Sequence, residues 1–315
     1  MRSLRIVFMG TPEFALASLA SLMQSQHRVV GVITAPDRPA GRGRKVRFSA
    51  IKELALSKEL PLLQPVRLKD KDFITALKDL EADLFVVVAF RMLPEVVWAM
   101  PSLGTINLHA SLLPDYRGAA PINWAIINGE SKSGVTTFFI NEHIDTGAIL
   151  LQEAVAIAAE DSAGDLHDKL MVLGAHVLKK TVDMIASGKA EAIPQDEDAM
   201  RHKAPKLGPA NCRINWDNNA KSVYNHIRGL SPYPGAWCEM RNGVDVLHLK
   251  IYQSTYFEAV HSLDPGTLVK EGKELRVAVS DGFVSLLEIQ LPGKRKLAID
   301  QLIHGLRLEP EANLR

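Results

Sequence analysis

The sequence predicts an α/β protein, a mostly parallel sheet covered by helices on both faces, followed by a smaller β-barrel or meander. Three observations carry that expectation. Over about the first 190 residues, near-continuous apolar runs alternate with helical patterns, as strands buried on both faces require. The polar stretch Ser187–Pro209, with Pro194, Pro205 and Pro209, then loses all periodicity and suits an interdomain linker. Beyond it come short alternating runs punctuated by Gly and Pro, the pattern of a small antiparallel barrel. The expected domains are therefore residues 1–189, a linker at 190–208 and a C-terminal barrel at 209–315.

The elements follow in order. Arg5–Met9 is the first buried strand, and a helix from Pro12 places Phe14, Leu19, Leu22 and Met23 on one stripe. Val29–Thr34 reads as a strand, Ile51–Leu60 as a helix, Leu62–Gln64 as a short strand and Asp72–Leu80 as a helix. Leu84–Ala89 is the most strand-like run in the chain. Strands at Thr105–His109, Val135–Ile140 and Ile149–Ala156 and a long helix, Gly164–Ala186, complete this half. After the linker come a helix, Ala220–Gly229, and strands near Gly235–Met240, Asp245–Tyr252, Thr267–Val269, Leu275–Val279 and Phe283–Gln290. A last helix is expected near Ile299–His304.

Composition narrows the function. The 37 basic and 36 acidic side chains leave a formal charge of +1, too small a global field to hold a polyanion. Any nucleic-acid binding must come from local basic patches. Cys212 and Cys238 form no CxxC pair and offer no disulfide framework, so a reducing compartment suits them. The apolar run Ile6–Met9 after Arg2 and Arg5 is too short for a signal-peptide core, and no stretch reaches the length of a membrane span. A cytoplasmic location is expected.

The most informative stretch is GTINLHASLLPDYRGAAP, residues 104–121. Asn107 and His109 stand two apart on a predicted strand, so they share a face at its carboxyl end, where open α/β sheets place their ligand crevice. Burying either without a partner costs about 1–3 kcal/mol. Loop backbone can satisfy both, or a ligand can. The turn Ile144-Asp145-Thr146-Gly147 is a second candidate. Aspartic-protease chemistry needs two carboxylates sharing a proton, and one such triplet does not supply them, so the choice there is a plain turn or a lone functional carboxylate. A third feature is the run of Arg38, Arg42, Arg44, Lys45 and Arg47, interrupted by Pro39, Gly41 and Gly43 and free of acids. It reads as a solvated loop or as a mobile one that contacts phosphates. The Gly10 turn lacks the further glycines of a dinucleotide fingerprint. No Walker loop, HExxH or Cys/His metal spacing is present, and no metal is expected.

At Asn107, His109, the run SLLPDYRG (111–118) and Asp145 the sequence resembles the folate-dependent formyltransferases. Within that family GTPEFA (10–15), DRPAGRGRK (37–45) and GAAPINWAI (118–126) are similar to the bacterial branch that acts on methionyl-tRNA. The resemblance runs from about residue 4 to the C-terminus. It implies a Rossmann-like catalytic domain and an OB-like barrel that binds tRNA. It implies catalysis by Asn107, His109 and Asp145 and folate binding by Ser111, Leu112, Leu113 and Pro114. The reaction implied is transfer of the formyl group of 10-formyltetrahydrofolate to the amine of initiator methionyl-tRNA, for translation initiation. Contacts to that tRNA are expected from Arg38, Arg42, Arg44, Lys45 and Lys206, and a monomer is expected.

The residue types agree with such chemistry. The nucleophile is the substrate's own amine, so the protein needs no Ser or Cys nucleophile. It must stabilise negative charge on the formyl oxygen and move protons. An Asn amide donates without titrating, a His relays a proton, and a carboxylate orients that His. Three departures from the family stand out: Ala89-Phe90-Arg91 for Ala-Tyr-Gly, His143-Ile144 for Gly-Leu, and Gly208-Pro209-Ala210-Asn211 for Ser-charged-Glu. Formylation of a sugar nucleotide or ribonucleotide precursor is the alternative, against which the basic insert and the β-rich C-terminal half argue. A non-catalytic nucleic-acid-binding module would leave Asn107, His109 and Asp145 without a purpose.

Overall fold

The structure is a computed structural model that describes residues 2–40, 45–303, 305 and 307–315. It divides into two compact units, and not at a single point in the chain. The first unit takes Met1–Gly118, Ser133–Val155 and His167–Lys203; the second takes Ala119–Lys132, Ala156–Leu166 and Ala204–Arg315.

The elements begin with β1 (Arg5–Gly10), α1 (Leu16–Met23), β2 (Arg28–Ile33), β3 (Arg38–Ala40), β4 (Lys45–Arg47), α2 (Ala50–Ser57), β5 (Leu62–Leu63) and α3 (Lys71–Lys78). Next come β6 (Leu84–Val88), α4 (Glu95–Trp98), β7 (Thr105–His109), β8 (Arg117–Gly118), α5 (Pro121–Ile127), β9 (Lys132–Phe139), β10 (Ile149–Ala156) and α6 (Ala163–Ala186). The rest are β11 (Lys203–Ala204), α7 (Pro209–Cys212), α8 (Ala220–Gly229), β12 (Ala236–Asn242), β13 (Asp245–Glu258) and β14 (Leu268–Glu271). The chain closes with β15 (Glu274–Val279), β16 (Gly282–Gln290), β17 (Lys296–Ala298), α9 (Ile299–Leu302) and β18 (Asn313–Leu314).

The first unit is built on a sheet of order β10-β9-β7-β6-β1-β2-β5. β1 pairs in parallel with β2 and β6, β2 with β5, and β6 with β7, whereas β9 runs antiparallel to β7. The chain thus winds outward on both sides of β1, which makes the carboxyl ends beside it the natural crevice. Every residue of β6 is buried, so its pattern is a continuous apolar run rather than an alternation. On one face Val7, Met9, Phe85 and Val87 pack against Phe73 and Leu77 of α3 and Val97 of α4. Asp70 caps α3 by accepting from the Asp72 and Phe73 amides, which fixes where that apolar stripe begins. Asn107 is in register with Val87 and therefore shares this face. Leu108 points the other way, where Gly174 of α6 sits so close that a Cβ there would meet it at 2.8 Å.

The segment Arg38–Arg47, expected as an open loop, carries two short strands, β3 and β4. They pair antiparallel, Arg38 with Arg47, Pro39 with Val46 and Ala40 with Lys45. A two-stranded ladder needs only one paired edge on each strand, so Pro39 is tolerated in it. Residues 41–44, including Arg42 and Arg44, lie outside the described residues, as do the side chains of Arg38 and Lys45.

The second unit is an antiparallel sheet of order β14-β15-β16-β13-β12-β18, with β17 beside β16. Its two ends meet: Thr267 bridges Asn313, and the Leu314 amide donates to the Gly266 carbonyl at 2.8 Å. The sheet is therefore a nearly closed barrel. β13, fourteen residues long, shifts register between Ile251 and Ser254, which gives one strand the bend that closure needs. Met240, Leu249, Ile251, Leu275, Val277, Leu286 and Ile289 fill the interior, joined by Val223 and Ile227 of α8.

Closure depends on Gly266, whose φ is +86° and whose position would bring a Cβ to 2.2 Å from the Leu314 carbonyl oxygen. Gly266→Ala is expected to destabilise the C-terminal unit by about 2 kcal/mol or more. Thermal unfolding checks this, and an unchanged midpoint would refute it.

Candidate active site

Asn107 and His109 lie on one face of β7, near its carboxyl end. Asn107 is half-buried, and among the described residues its amide has no hydrogen-bond partner. His109 is buried. Its Nε2 lies 2.9 Å from the carbonyl oxygen of Tyr116, and its Nδ1 lies 3.7 Å from Oδ2 of Asp145. A carbonyl only accepts, so Nε2 carries the proton of the neutral ring. Nδ1 then holds the lone pair and faces the carboxylate. That same Oδ2 accepts from the Gly118 amide at 3.0 Å. Asp145 sits in the left-handed region at φ +55°, and Tyr116 does so at +60°. All three expected catalytic residues are thus together, with strained backbone at two points around them.

The loop between β7 and β8 is tied down from several sides. Ser111 Oγ donates to the Asp115 carbonyl at 2.6 Å, and the Leu113 amide donates to Thr136 Oγ1 at 3.1 Å. Thr136 in turn donates to the Ser111 carbonyl at 2.7 Å, and Gln152 Nε2 to the Leu113 carbonyl at 2.8 Å. Of the four residues expected at folate, Ser111 and Leu113 are buried, with the Ser111 hydroxyl already engaged. Leu112 and Pro114 are half-buried and remain accessible.

Residues 4–182 match the formyl transferase family, and residues 206–307 match the formyl transferase C-terminal domain. The chain belongs to the formyltransferase family. It is 54% identical to the methionyl-tRNA formyltransferase of Flavobacterium psychrophilum over 307 residues, 97% of each chain. To the methionyl-tRNA formyltransferase of Flavobacterium johnsoniae it is 51% identical over 314 residues, 100% of each. Among solved structures, the N-formyltransferase of Helicobacter canadensis, in complex with folinic acid and dTDP-3-aminofucose, shares the fold. That match has a TM-score of 0.64 at 21% identity and covers 90% of this chain and 98% of that one. HypX of Aquifex aeolicus, in complex with tetrahydrofolic acid, matches with a TM-score of 0.65 at 17% identity, over 96% of this chain and 47% of that one.

Sequence reasoning did not find the residues that brace this formyltransferase site. Thr136 gives a faint signal, a hydroxyl on an otherwise apolar strand. Arg117, Gln195, Glu197 and Arg201 give none, because they are polar residues in polar segments. Arg117 donates to Gln195 Oε1 and, through both terminal nitrogens, to Glu197. The Arg117 hydrogen bond holds the Glu197 carboxyl below its ordinary range. The Asp115 carboxylate accepts from the amides of Arg201 and His202 and from the Arg201 guanidinium. Burial alone would raise the Asp115 carboxyl, but these donors outweigh it and hold the group below the carboxylate range. The segment expected as a linker is, up to Lys203, part of the first unit and of its site's frame.

The departures from the family pattern also find places. Ala89 follows β6 at φ +47°, and Arg91 donates to the carbonyls of Val66 and Pro65, tying that loop to its neighbour. Asn141 Oδ1 accepts from the His143 amide and from the Thr146 hydroxyl, each at 3.0 Å, shaping the turn before Asp145. Asn211 Oδ1 accepts from the Gly208 amide at 2.7 Å and so starts α7. Lys206, in the second unit, is exposed.

The depressed Asp115 carboxyl contributes stability that is present above its unfolded pKa of about 3.9 and is lost as the pH falls through its lower folded value. Asp115→Asn should therefore be less stable than the wild type at pH 7, with the gap closing below about pH 4. Urea unfolding across pH 7 to 2 tests this. A gap independent of pH would locate the loss in shape rather than charge.

Proposed function

We propose that the protein transfers the formyl group of 10-formyltetrahydrofolate to the amine of initiator methionyl-tRNA, giving formylmethionyl-tRNA for translation initiation. The observation that carries this reading is an Asn107 side-chain amide with no partner among the described residues, beside a His109 of defined tautomer, in a chain 54% identical to a methionyl-tRNA formyltransferase over 97% of its length. No observation favours a sugar-nucleotide or ribonucleotide acceptor over this one.

The residues present fit a folate carrier. The half-buried Leu112 and Pro114 offer apolar contact beside the crevice, and the Asn107 side-chain amide, without a partner among the described residues, supplies a donor inside it. The carrier supplies an activated formyl group. Everything else falls to the chain. As the acceptor's amine bonds to the formyl carbon, negative charge grows on the formyl oxygen, and an Asn107 N–H aimed there stabilises it. The amine must lose a proton. His109 Nδ1 holds the open lone pair, and Asp145 stands where it stabilises the imidazolium that results. His109 then returns that proton to the carrier nitrogen as the bond between that nitrogen and the formyl carbon breaks, so that tetrahydrofolate leaves and the formyl group stays on the amine. At 3.7 Å this pair is not yet a hydrogen bond, and such contacts commonly tighten only around substrate.

Asn107→Ala and His109→Ala should each lower kcat while changing folate binding little. Loss of one oxyanion donor costs about 2.7–4 kcal/mol, and loss of proton transfer about two to four decades of rate. Retention of more than about a tenth of wild-type turnover by either variant would remove its role.

We assign tRNA contacts to Arg38, Arg42, Arg44, Lys45 and Lys206. If Arg42 meets a phosphate, Arg42→Ala should raise KM for charged tRNA, leave the folate Kd unchanged and flatten the log–log salt dependence by about 0.7–0.9. Initiator and elongator methionyl-tRNA compared across a salt series test this. An unchanged slope would leave Arg42 an ordinary surface charge.

A further inference from the structure

Asp145 holds its carboxylate toward His109 from a backbone conformation that non-glycine residues rarely adopt, φ +55°. Something must fix that turn. One side chain outside it does so directly: Gln195 Nε2 donates to the Asp145 carbonyl and to the Gly147 carbonyl, each at 2.8 Å. Two carbonyls on either side of Thr146 thus converge on a single amide nitrogen. The far end of that amide is also fixed. Gln195 Oε1 accepts from Arg117 Nε at 3.1 Å and from Arg117 Nη2 at 2.7 Å. Guanidinium groups only donate and carbonyls only accept, so the amide has one orientation that satisfies both neighbours. Arg117 is held in turn by Glu197 at 2.8 Å.

The neighbours of Arg117 complete the picture. Tyr116 accepts from His109 Nε2, and the Gly118 amide donates to Asp145 Oδ2. Three consecutive residues therefore reach the imidazole, the carboxylate, and, through Gln195, the backbone that carries the carboxylate. We propose that Gln195 is a positioning residue for formyl transfer: its amide locks the 145–147 turn and thereby sets the distance between Asp145 and His109. This rests on the formyl-transfer reading above. Gln195 touches no reacting atom in this account. It acts through Asp145, and a misplacement of about 1 Å at a reacting group can cost about a hundredfold in rate.

Two variants separate positioning from mere support. Gln195→Met keeps the length of the side chain and removes both of its polar ends. Gln195→Glu keeps an acceptor for Arg117 and replaces the donor to Asp145 and Gly147 by a carboxylate oxygen that repels both carbonyls. The assay is single-turnover formylation at saturating methionyl-tRNA and 10-formyltetrahydrofolate, with folate Kd and thermal midpoint measured beside it. Both variants should lose about ten- to hundredfold in rate with folate Kd unchanged. In an Asp145→Asn background Gln195→Met should cost less than about twofold more, since a group that acts through another is not additive with it. The ¹⁵N shifts of the His109 ring should also move in Gln195→Glu, which a purely structural brace would not cause. Wild-type rate in a folded Gln195→Glu would overturn the proposal, as would losses that multiply with Asp145→Asn. If Gln195→Met does not fold, Gln195→Glu alone decides. A wild-type protein that forms no product would remove the functional reading itself, and this inference with it.

Discussion

An imidazole bonded at one nitrogen to a backbone carbonyl and turned at the other toward a carboxylate sets the terms for the first unit. The Tyr116 carbonyl accepts a hydrogen bond from the His109 Nε2–H, which leaves Nδ1 turned to Asp145. Both acceptors come from loops, and both loops reach their positions only through left-handed residues, Tyr116 and Asp145. Such residues cost on the order of 1–3 kcal/mol each. The surroundings must therefore over-determine them. The Tyr116 amide donates to the His202 carbonyl at 2.9 Å, with the two rings stacked 5.3 Å apart. Asp145 is held at its carboxylate by Gly118 and at its carbonyl by Gln195. Strain at the site and polar bracing around it are two sides of one design.

That bracing is ionic as well as neutral. Asp115 would be a liability as a buried carboxylate without donors, and four groups from Arg201 and His202 satisfy it. Removing one partner from such a cluster costs more than the cluster contributes, because it leaves the other partner uncompensated. Segments 115–118 and 195–202 are consequently committed to each other. Residues far apart in sequence thus fix one another's backbone through polar contacts.

The fold was largely legible in the sequence, and the reason is the pattern of burial. β6 announces itself because every residue is apolar and buried, β7 is nearly as buried although only Ile106 and Leu108 of its five residues are apolar, and Ala220–Gly229 matches its expected bounds. What the sequence hid was register and pairing direction. Nothing in Val135–Ile140 says that β9 turns antiparallel to β7, and nothing in the basic, glycine-broken insert signals the β3–β4 ladder. At the site, Asn107 and His109 were visible as polar residues in an apolar strand, and Asp145 as a carboxylate in a turn. Their supports were not. Gln195 and Arg117 look like any polar residues of a loop, and only three-dimensional convergence gives them a role.

The division between visible and hidden residues follows from the chemistry. In this reaction the nucleophile arrives with the substrate, so the protein contributes no reactive atom of its own that a motif would mark. On the roles proposed for Asn107, His109 and Asp145, its contribution is orientation: one amide, one lone pair and one carboxylate held still in a crevice. Orientation is a property of many weak contacts acting together. In this chain the polar side chains that stand out are few, Asn107 and His109 at the sheet edge and Asp145 in a turn. The contacts that make those side chains effective are spread along loops that look unremarkable one residue at a time. Here they are gathered on 115–118 and 195–202, and the strained turns at Tyr116 and Asp145 mark where their hold is needed.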